Sequence, residues 1–293
     1  MNENDVLAQQ FETHRPHLRA VAYRMLGSLS EAEDAVQESW LRLSRTDTDS
    51  VQNLGGWLTT VVARVCLNML QSRRSRREDS LDAAVPDPIV ALSDGSDPEQ
   101  EAVLADSVGL ALLVVLGTLT PSERLAFVLH DMFAVPFEDI APIVERTPVA
   151  ARQLASRARR RLQGAPVPDD TDPVRQRVVV DAFLAAARGG DFDALVSVLD
   201  PDVVLRADTG ALPAGASTTV RGAETVAGRV LGFARLARFA HPALVNGTAG
   251  VVAISDGHLL SVLGVTIRKG MIVEIDILAD RERLAGLVVE NLD

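Results

Sequence analysis

Between residues 6 and 78, apolar side chains recur every three or four positions, which is the spacing of one face of an α-helix. Gly27 interrupts the first of these stretches and Gly55-Gly56 precedes the last, so the pattern predicts three helices. Ser30 opens the sequence Ser-Glu-Ala-Glu, in which we expect Ser30 to cap the second helix and Glu33 to reach back to it. This part of the chain is therefore predicted to be an all-α domain.

A second helical domain is predicted from residue 99 to residue 164, between two linkers. Residues 79–98 and 165–172 are rich in proline and aspartate, a composition typical of linkers. Within the domain, Thr120-Pro-Ser-Glu predicts a helix start with a threonine cap, a proline in the first turn and Glu123 reaching back to the cap.

From residue 173 to residue 293 the pattern changes from helices to strands. Helices are predicted over 174–188, 192–199 and, at the end, 281–289. Between the last two lie the predicted strands Val203–Leu205, Val251–Ser255, His258–Val262, Val265–Arg268 and Met271–Leu278, with hairpin turns at Asp256-Gly257 and Lys269-Gly270. We therefore expect a multi-domain chain, with two all-α domains followed by an α+β domain.

Composition and charge limit the classes of function. The 293 residues carry a net charge of −11, which alone argues against a nucleic-acid binder. The arginines are clustered, however, and a binder can be acidic overall if its contact faces are basic. The clusters are Arg73, Arg74, Arg76 and Arg77, and Arg152, Arg157, Arg159, Arg160 and Arg161.

Other residues exclude several kinds of site. The single cysteine, Cys66, lies in an apolar helical pattern, so we expect a buried thiol. With five scattered histidines and one cysteine, no metal site and no cofactor are expected. No apolar run is long enough to cross a bilayer and no signal segment opens the chain, so a cytoplasmic location is expected.

The segment from Pro136 to Leu162 predicts a helix-turn-helix. A short helix over 137–144 is followed by a tight turn, and Thr147-Pro148 predicts the cap and first position of the next helix. We expect that helix to bury Val149, Leu154, Ala158 and Leu162, and to expose Arg152, Gln153, Ser156, Arg157, Arg159 and Arg160. Arg and Gln can read base edges and arginines can neutralise phosphates, although a solvated arginine-rich helix is the alternative.

Three segments of the first domain carry a more specific pattern: Phe11 to Ser28, Glu33 to Leu43, and Gly56 to Asn68. They resemble region two of the extracytoplasmic-function (ECF) family of RNA polymerase sigma factors. The helix-turn-helix, with the preceding Leu119-Thr-Pro-Ser-Glu-Arg-Leu, resembles region four of the same family. The resemblance implies a sigma factor that binds core RNA polymerase through the β′ clamp and the β flap, and directs it to promoter DNA.

The resemblance also implies roles for individual residues. Asp34, Gln37 and Glu38 would bind the polymerase clamp, and the helix-turn-helix would bind the distal promoter element. Binding and melting of the proximal element would fall to Asn53, Trp57, Arg64, Asn68, Arg73, Arg74, Arg76 and Arg77.

The segment from Val178 to Leu205 resembles the start of a SnoaL-like domain, and the resemblance covers residues 173–293. A SnoaL-like domain is a cone of helices on a curved sheet, and in one group of these sigma factors it is fused behind region four. There it is thought to regulate activity within the same chain. This chain differs from that group at three motifs. Ala84-Val-Pro-Asp-Pro replaces Trp-Leu-Pro-Glu-Pro, Asp208-Thr-Gly replaces Asp-Gly-Gly-Gly, and Ala279-Asp-Arg-Glu-Arg-Leu replaces Asn-Pro-Asp-Lys-Leu.

Two other hypotheses remain open from the sequence. In the first, the chain is a helix-turn-helix regulator that works without polymerase and senses a small-molecule ligand in its SnoaL-like domain. In the second, that domain is an enzyme with a DNA-binding appendage. Some SnoaL-like proteins use an aspartate or a histidine as acid–base residue in the cone, so the candidate pocket residues are Asp208, His258 and Asp276. Such a residue must lie in the pocket and have a tuned pKa.

Overall fold

In a computed structural model of the chain, residues 3–46, 51, 53–76, 85–92, 109–163, 173–210 and 217–287 are described. The chain divides into two compact units. The first contains residues 1–81 and 115–164, and the second contains residues 82–114 and 165–293. The second unit therefore includes most of the segment that connects the two helical regions.

Three long helices begin the first unit, as predicted. They are α1 (Glu3–Leu26), α2 (Leu29–Leu43) and α3 (Leu54–Arg76), and they pack against one another. α2 begins directly after Ser28, so the prediction that Ser30 caps it is wrong. Gly27, with a φ of 70°, ends α1 and turns the chain into α2 without a side-chain cap. Glu33 instead accepts a hydrogen bond from Arg15 at 2.6 Å.

The helices of the second helical region follow in the order that the sequence predicts. They are α4 (Leu110–Gly117), α5 (Pro121–Phe127) with a π-helical turn at Val128–Met132, α6 (Phe137–Ile140) and α7 (Pro148–Leu162). Thr120 and Glu123 form the predicted capping box, and Thr147 accepts a hydrogen bond from the backbone nitrogen of Ala150 at 3.3 Å. The boundary between the two units falls within α4, after Val114.

The second unit is an α+β domain, as predicted. Its helices are α8 (Pro173–Gly189), α9 (Phe192–Val198), α10 (Ala223–Gly232), α11 (Ala234–Ala237) and α12 (Arg281–Ala285). Its strands are β1 (Val90–Leu92), β2 (Leu199–Asp208), β3 (Ser217–Arg221), β4 (Ala240–Val245), β5 (Thr248–Ser255), β6 (His258–Arg268) and β7 (Met271–Leu278). The described strands form one sheet in the order β1-β4-β5-β6-β7-β2-β3, in which only the β2–β7 pair is parallel.

The two faces of this sheet have different environments. One face packs against α8, α9 and α10 in a core that includes Phe183, Leu195, Leu205, Val251 and Ile275. Side chains alternate along each strand, so Arg206, Glu274 and Asp276 lie on the opposite face. That opposite face therefore carries three charged side chains, of which Glu274 and Asp276 are buried.

Three two-residue turns connect the antiparallel strands β4 to β7. The predicted turns Asp256-Gly257 and Lys269-Gly270 are confirmed, because both residues of each have a positive φ. A third, Asn246-Gly247, has the same conformation and was not predicted, although Asn-Gly is a strong hairpin signal. It creates β4 and extends the sheet towards β1.

The segment between the helical regions is more structured than the predicted linker. Val90–Leu92 pairs with β4, and Asn246 accepts a hydrogen bond from the backbone nitrogen of Ile89 at 3.0 Å. No helix in the described parts of the chain is long and apolar enough to cross a membrane. Within the same parts, no group of three or more His, Cys, Asp or Glu residues could hold a metal ion.

Candidate nucleic-acid and polymerase interfaces

The second helix of the helix-turn-helix, α7, has one buried face and one exposed face. The buried face consists of Ala151, Ala155, Ala158 and Leu162. Val149, which the sequence analysis placed in the core, is 61% exposed, so that prediction is wrong. The helix is anchored by closely packed alanines, and the opposite side is left to polar residues and Val149.

Several arginines of α7 form ion pairs within the first unit. Arg159 makes two hydrogen bonds to Asp131, at 2.6 and 3.2 Å. Arg161 donates to the buried Glu123 at 2.9 Å, and Arg157 lies 3.7 Å from the same carboxylate. These contacts fix the middle and end of α7 against the preceding helices.

The start of α7 presents a different set of side chains. Arg152 and Gln153 are exposed there, and Ser156 is half-buried. The Arg152 guanidinium lies 5.2 Å from the centroid of the Phe137 ring, which itself stacks on His130 with centroids 3.8 Å apart. A cation held over an aromatic face is oriented as well as attracted. The first two turns of α7 therefore form a preorganised polar surface.

On α2, a stripe of exposed side chains runs along one face. Asp34, Gln37 and Leu41 are exposed at positions i, i+3 and i+7. Glu38 is half-buried within the same stripe and receives a hydrogen bond from Arg42 at 2.9 Å. This acidic face with one exposed leucine suits a basic partner that also offers apolar surface.

On α3, Arg64 and Asn68 are exposed one helical turn apart, and Arg74 is exposed further along. Arg73 is half-buried and pairs with Glu31 of α2, so it also holds two helices together. Arg77 and the side chain of Arg76 lie outside the described residues. Among the described side chains of α3, the exposed basic ones are thus Arg64 and Arg74.

Two further candidate residues for the proximal promoter element lie at the start of α3. Asn53 is exposed, and its side-chain oxygen accepts a hydrogen bond from the backbone nitrogen of Gly56 at 3.0 Å. Trp57 is half-buried. Asn53 therefore caps α3, whatever else it contacts. Most of the loop that precedes Asn53 lies outside the described residues.

Burial alters two groups inside the first unit. The Arg124 side chain is buried and donates to the carbonyl oxygen of Arg24 at 3.2 Å. Desolvation and the nearby charge of Arg73 lower the pKa of Arg124 to about 10. Burial raises the pKa of the Cys66 thiol to about 12, so it stays protonated, as expected for a thiol inside the core. Sequence reasoning missed Arg124, because a lone arginine in a helix gives no signal of burial.

Three motifs differ between this chain and the sigma factors with a fused SnoaL-like domain that it resembles, and these motifs contact one another in the second unit. Arg283 of α12 donates to the Asp208 carboxylate at 2.7 Å, to the Val85 carbonyl at 2.6 Å and, through Nε, to the Asp87 carboxylate at 2.8 Å. Both aspartates are buried. We call the contact of Arg283 with Val85, Asp87 and Asp208 the Arg283 clasp. It ties the connecting segment to the sheet.

A second contact attaches the connecting segment to the same domain. A Cβ atom on Gly264 of β6 would lie only 2.7 Å from Cδ2 of Leu110, the first residue of α4. The leucine side chain thus occupies the space above a glycine. Gly250, which pairs with Gly264, also has no space for a Cβ atom, which would lie 2.6 Å from the Leu263 carbonyl oxygen. The start of α4 is held against the α+β domain by this packing.

The candidate pocket residues are not brought together as a catalytic group. Asp276 accepts from Arg206 at 3.0 Å, Glu274 accepts from the same arginine at 2.6 Å, and Asp208 belongs to the Arg283 clasp. His258 is exposed at the far end of β6, four residues beyond Val262, which pairs with the last residue of β7. It therefore lies ~13 Å beyond the end of β7.

Burial raises the pKa of Asp276 to about 6, an effect that Arg206 opposes and Glu274 reinforces. Oε2 of Glu274 has no hydrogen-bond partner among the described residues. One arginine thus balances two buried carboxylates. Sequence reasoning missed Arg206 and Glu274, although charged residues alternating with isoleucines in a predicted strand were a signal.

Comparison with known proteins gives consistent results for both helical regions. Residues 10–76 match the family model of Sigma-70 region 2, and residues 109–162 match that of Sigma-70, region 4. These helical regions, in this order on one chain, define a sigma factor of the sigma-70 type.

Two mycobacterial proteins are similar over nearly the whole chain. The ECF RNA polymerase sigma factor SigJ of Mycobacterium tuberculosis is 38% identical over 291 residues, covering 94% of this chain and 93% of SigJ. The probable ECF RNA polymerase sigma factor SigI of the same species is 35% identical, covering 99% of both chains. A crystal structure of M. tuberculosis SigJ matches with a TM-score of 0.75 at 35% identity, covering 96% of this chain and 99% of that one.

The chain belongs to the ECF family of RNA polymerase sigma factors. It therefore binds core RNA polymerase and directs it to promoter DNA for transcription initiation. Members of this family are not enzymes, so the hypothesis of a SnoaL-type enzyme is set aside. The α+β unit fits the SnoaL-like domain that the sequence predicted.

Proposed function

We propose that this sigma factor binds the β′ clamp through the exposed stripe of α2, contacts the β flap through region four, and holds two promoter elements with α3 and α7. The proposal rests chiefly on the division of α7 into a buried alanine face and an exposed polar start. A helix anchored in this way can enter a major groove with its first turns facing the bases. Its place of action is the cytoplasm, where polymerase and chromosome meet.

The residues divide by the contacts already made within the unit. Arg152, Gln153 and Ser156 are assigned to base edges of the distal element, whereas Arg160 and the ion-paired Arg157 and Arg159 are assigned to phosphates. The residues assigned to the proximal element and its melting are Asn53, Trp57, Arg64, Asn68, Arg73, Arg74, Arg76 and Arg77. Asp34, Gln37 and Glu38 are assigned to the polymerase.

Asp34→Arg is expected to weaken the affinity for core polymerase by about ten-fold or more, because a reversed charge meets a basic partner. Co-purification and competition binding with the full chain measure this effect. Glu224→Arg, an equally exposed reversal on α10, is the control and should leave the affinity unchanged. Equal affinities for both variants would contradict the assignment of α2, and a helix-turn-helix regulator that works without polymerase would then be the better hypothesis.

We further propose that the α+β domain regulates transcription within the same chain by restraining the segment that connects regions two and four. Three contacts hold that segment to the domain: the pairing of β1 with β4, the Arg283 clasp, and Leu110 above Gly264. A sigma factor must spread its two DNA-binding regions over two separated promoter elements. Any restraint on their connection therefore biases promoter binding.

Run-off transcription on a promoter panel tests this regulation. Deleting residues 165–293 would also remove the surface on which Leu110 packs, so point variants are the sharper tool. We expect variants of the restraining contacts to change the ratio of transcripts among promoters while binding core polymerase normally. An unchanged ratio in every such variant would remove the regulatory proposal and leave the sigma-factor assignment intact.

A further inference from the structure

Val149 occupies an unusual place for an exposed aliphatic residue. It is the second residue of α7, directly after Pro148, and the Thr147 cap fixes the backbone there. Its exposure of 61% rules out a packing role within the unit. Single exposed apolar residues are common on protein surfaces, so exposure alone carries no conclusion.

The position of Val149 on the helix gives its exposure a meaning. Val149, Arg152, Gln153 and Ser156 stand at i, i+3, i+4 and i+7, which places them on one face of α7. The alanine face at 151, 155 and 158 lies on the other side. Val149 therefore lies next to the polar residues that are assigned to base edges, and it adds one apolar side chain to their surface. It is near the N-terminus of α7, the end of the helix that enters the groove first.

The chemistry of the major groove offers one apolar target. Thymine alone of the four bases presents a methyl group there, and aliphatic side chains discriminate it by contact. We infer that Val149 contacts the 5-methyl group of a thymine in the distal promoter element and so determines part of the promoter specificity. This inference rests on the proposed function of α7.

Arg152 and Gln153 limit where that thymine lies. The Arg152 guanidinium is held 5.2 Å from the Phe137 ring centroid, so the polar readers beside Val149 start from a fixed geometry. Side chains one helical turn apart contact neighbouring bases. The thymine is thus adjacent to a base that Arg152 or Gln153 reads, and a fixed position in the element is expected.

Replacing thymine by uracil removes the methyl group and leaves base pairing unchanged. Holoenzyme made from the full chain and core polymerase first selects its distal element from a randomised promoter library. Each dT of the selected duplex is then replaced by dU, one position at a time. Wild-type holoenzyme should lose about four-fold in affinity at one position, the value for one buried methyl group.

Val149→Ala holoenzyme should bind the selected promoter about four-fold more weakly and should no longer distinguish dT from dU at that position. Val178→Ala is the control, since Val178 is 65% exposed on α8 in the other unit. It should retain the full dU effect. The expected result is that only Val149→Ala loses the difference between dT and dU, and only at that one position.

Three outcomes would overturn the inference. The selected element contains no thymine, or dU costs the same in wild type and Val149→Ala, or Val149→Ala weakens binding to core polymerase without DNA. If Arg152→Ala also fails to alter the selected sequence, the proposed function of α7 fails as well. If Arg152→Ala alters it and Val149→Ala does not, only the inference about Val149 is wrong.

Discussion

Replacing Arg206 with methionine is expected to lower the free energy of unfolding of the α+β domain by about 3–5 kcal/mol at neutral pH. Arg206 is the arginine that hydrogen-bonds both Glu274 and Asp276, at 2.6 and 3.0 Å. The two carboxylates are buried, and Oε2 of Glu274 already lacks a partner among the described residues. Without the arginine, two like charges remain close together in a medium of low polarity.

The loss of stability in Arg206→Met should depend on pH, because the Asp276 carboxyl titrates near neutral pH. Its pKa, about 6, is raised by burial and held down by Arg206. A carboxyl with a raised pKa binds its proton more tightly in the folded state, so its contribution to stability falls as pH rises from about 4 to about 6. Removing Arg206 raises this pKa further. Urea unfolding should therefore show a larger loss at pH 7.5 than at pH 5.5.

Two further variants separate charge from shape. Arg268→Met removes an exposed arginine from the same sheet and should change the stability by less than about 0.5 kcal/mol. Arg206→Met combined with Glu274→Gln and Asp276→Asn removes the uncompensated charges and should recover most of the loss. If the Arg206→Met variant is as stable as wild type at pH 7.5, the two carboxylates are not held by Arg206.

Local signals explain most of what the sequence could predict. Thr120 and Thr147 cap their helices as expected, because a cap needs only its own backbone and the next three residues. The hairpin turns at Asp256 and Lys269 are equally local. Each of these features is encoded within a few residues, so one sequence is enough to predict it.

The error at Val149 has a physical reason. The prediction placed Val149 and Leu154 on the buried face of α7 together with Ala158 and Leu162, and only the last two of these four are buried. Most of the buried face consists of alanines at 151, 155 and 158, whose spacing of four and three is helical. Small side chains let helices approach closely but look neutral in a hydrophobicity pattern.

Long-range contacts account for the features that the sequence did not predict. β1 pairs with a strand more than 150 residues later in the chain, with Val90 opposite Val245. Arg206 finds its carboxylates 68 and 70 residues away, and Arg283 reaches a connecting segment 196 residues before it. No local pattern encodes such partners, and tertiary structure alone reveals them.

Replacing Arg283 with methionine should open the Arg283 clasp and change transcription by several-fold in run-off assays with core polymerase. The variant leaves Asp87 and Asp208 buried without their cation, at an expected cost of about 2–4 kcal/mol for the attachment of the connecting segment. The segment should then detach locally while the rest of the domain stays folded. Limited proteolysis with a protease of broad specificity should show faster cleavage between residues 85 and 92.

Arg281→Met is the matched control, because Arg281 is exposed on the same short helix. Arg283→Lys should restore part of the effect, since lysine keeps the charge but cannot make several parallel hydrogen bonds. Asp87→Asn should release the segment in the same direction, and combining it with Arg283→Met should give less than the sum of the two effects. Faster cleavage of the segment with wild-type transcription at every promoter would mean that the clasp serves stability alone. Altered transcription together with faster cleavage would identify it as the element through which the α+β domain controls regions two and four.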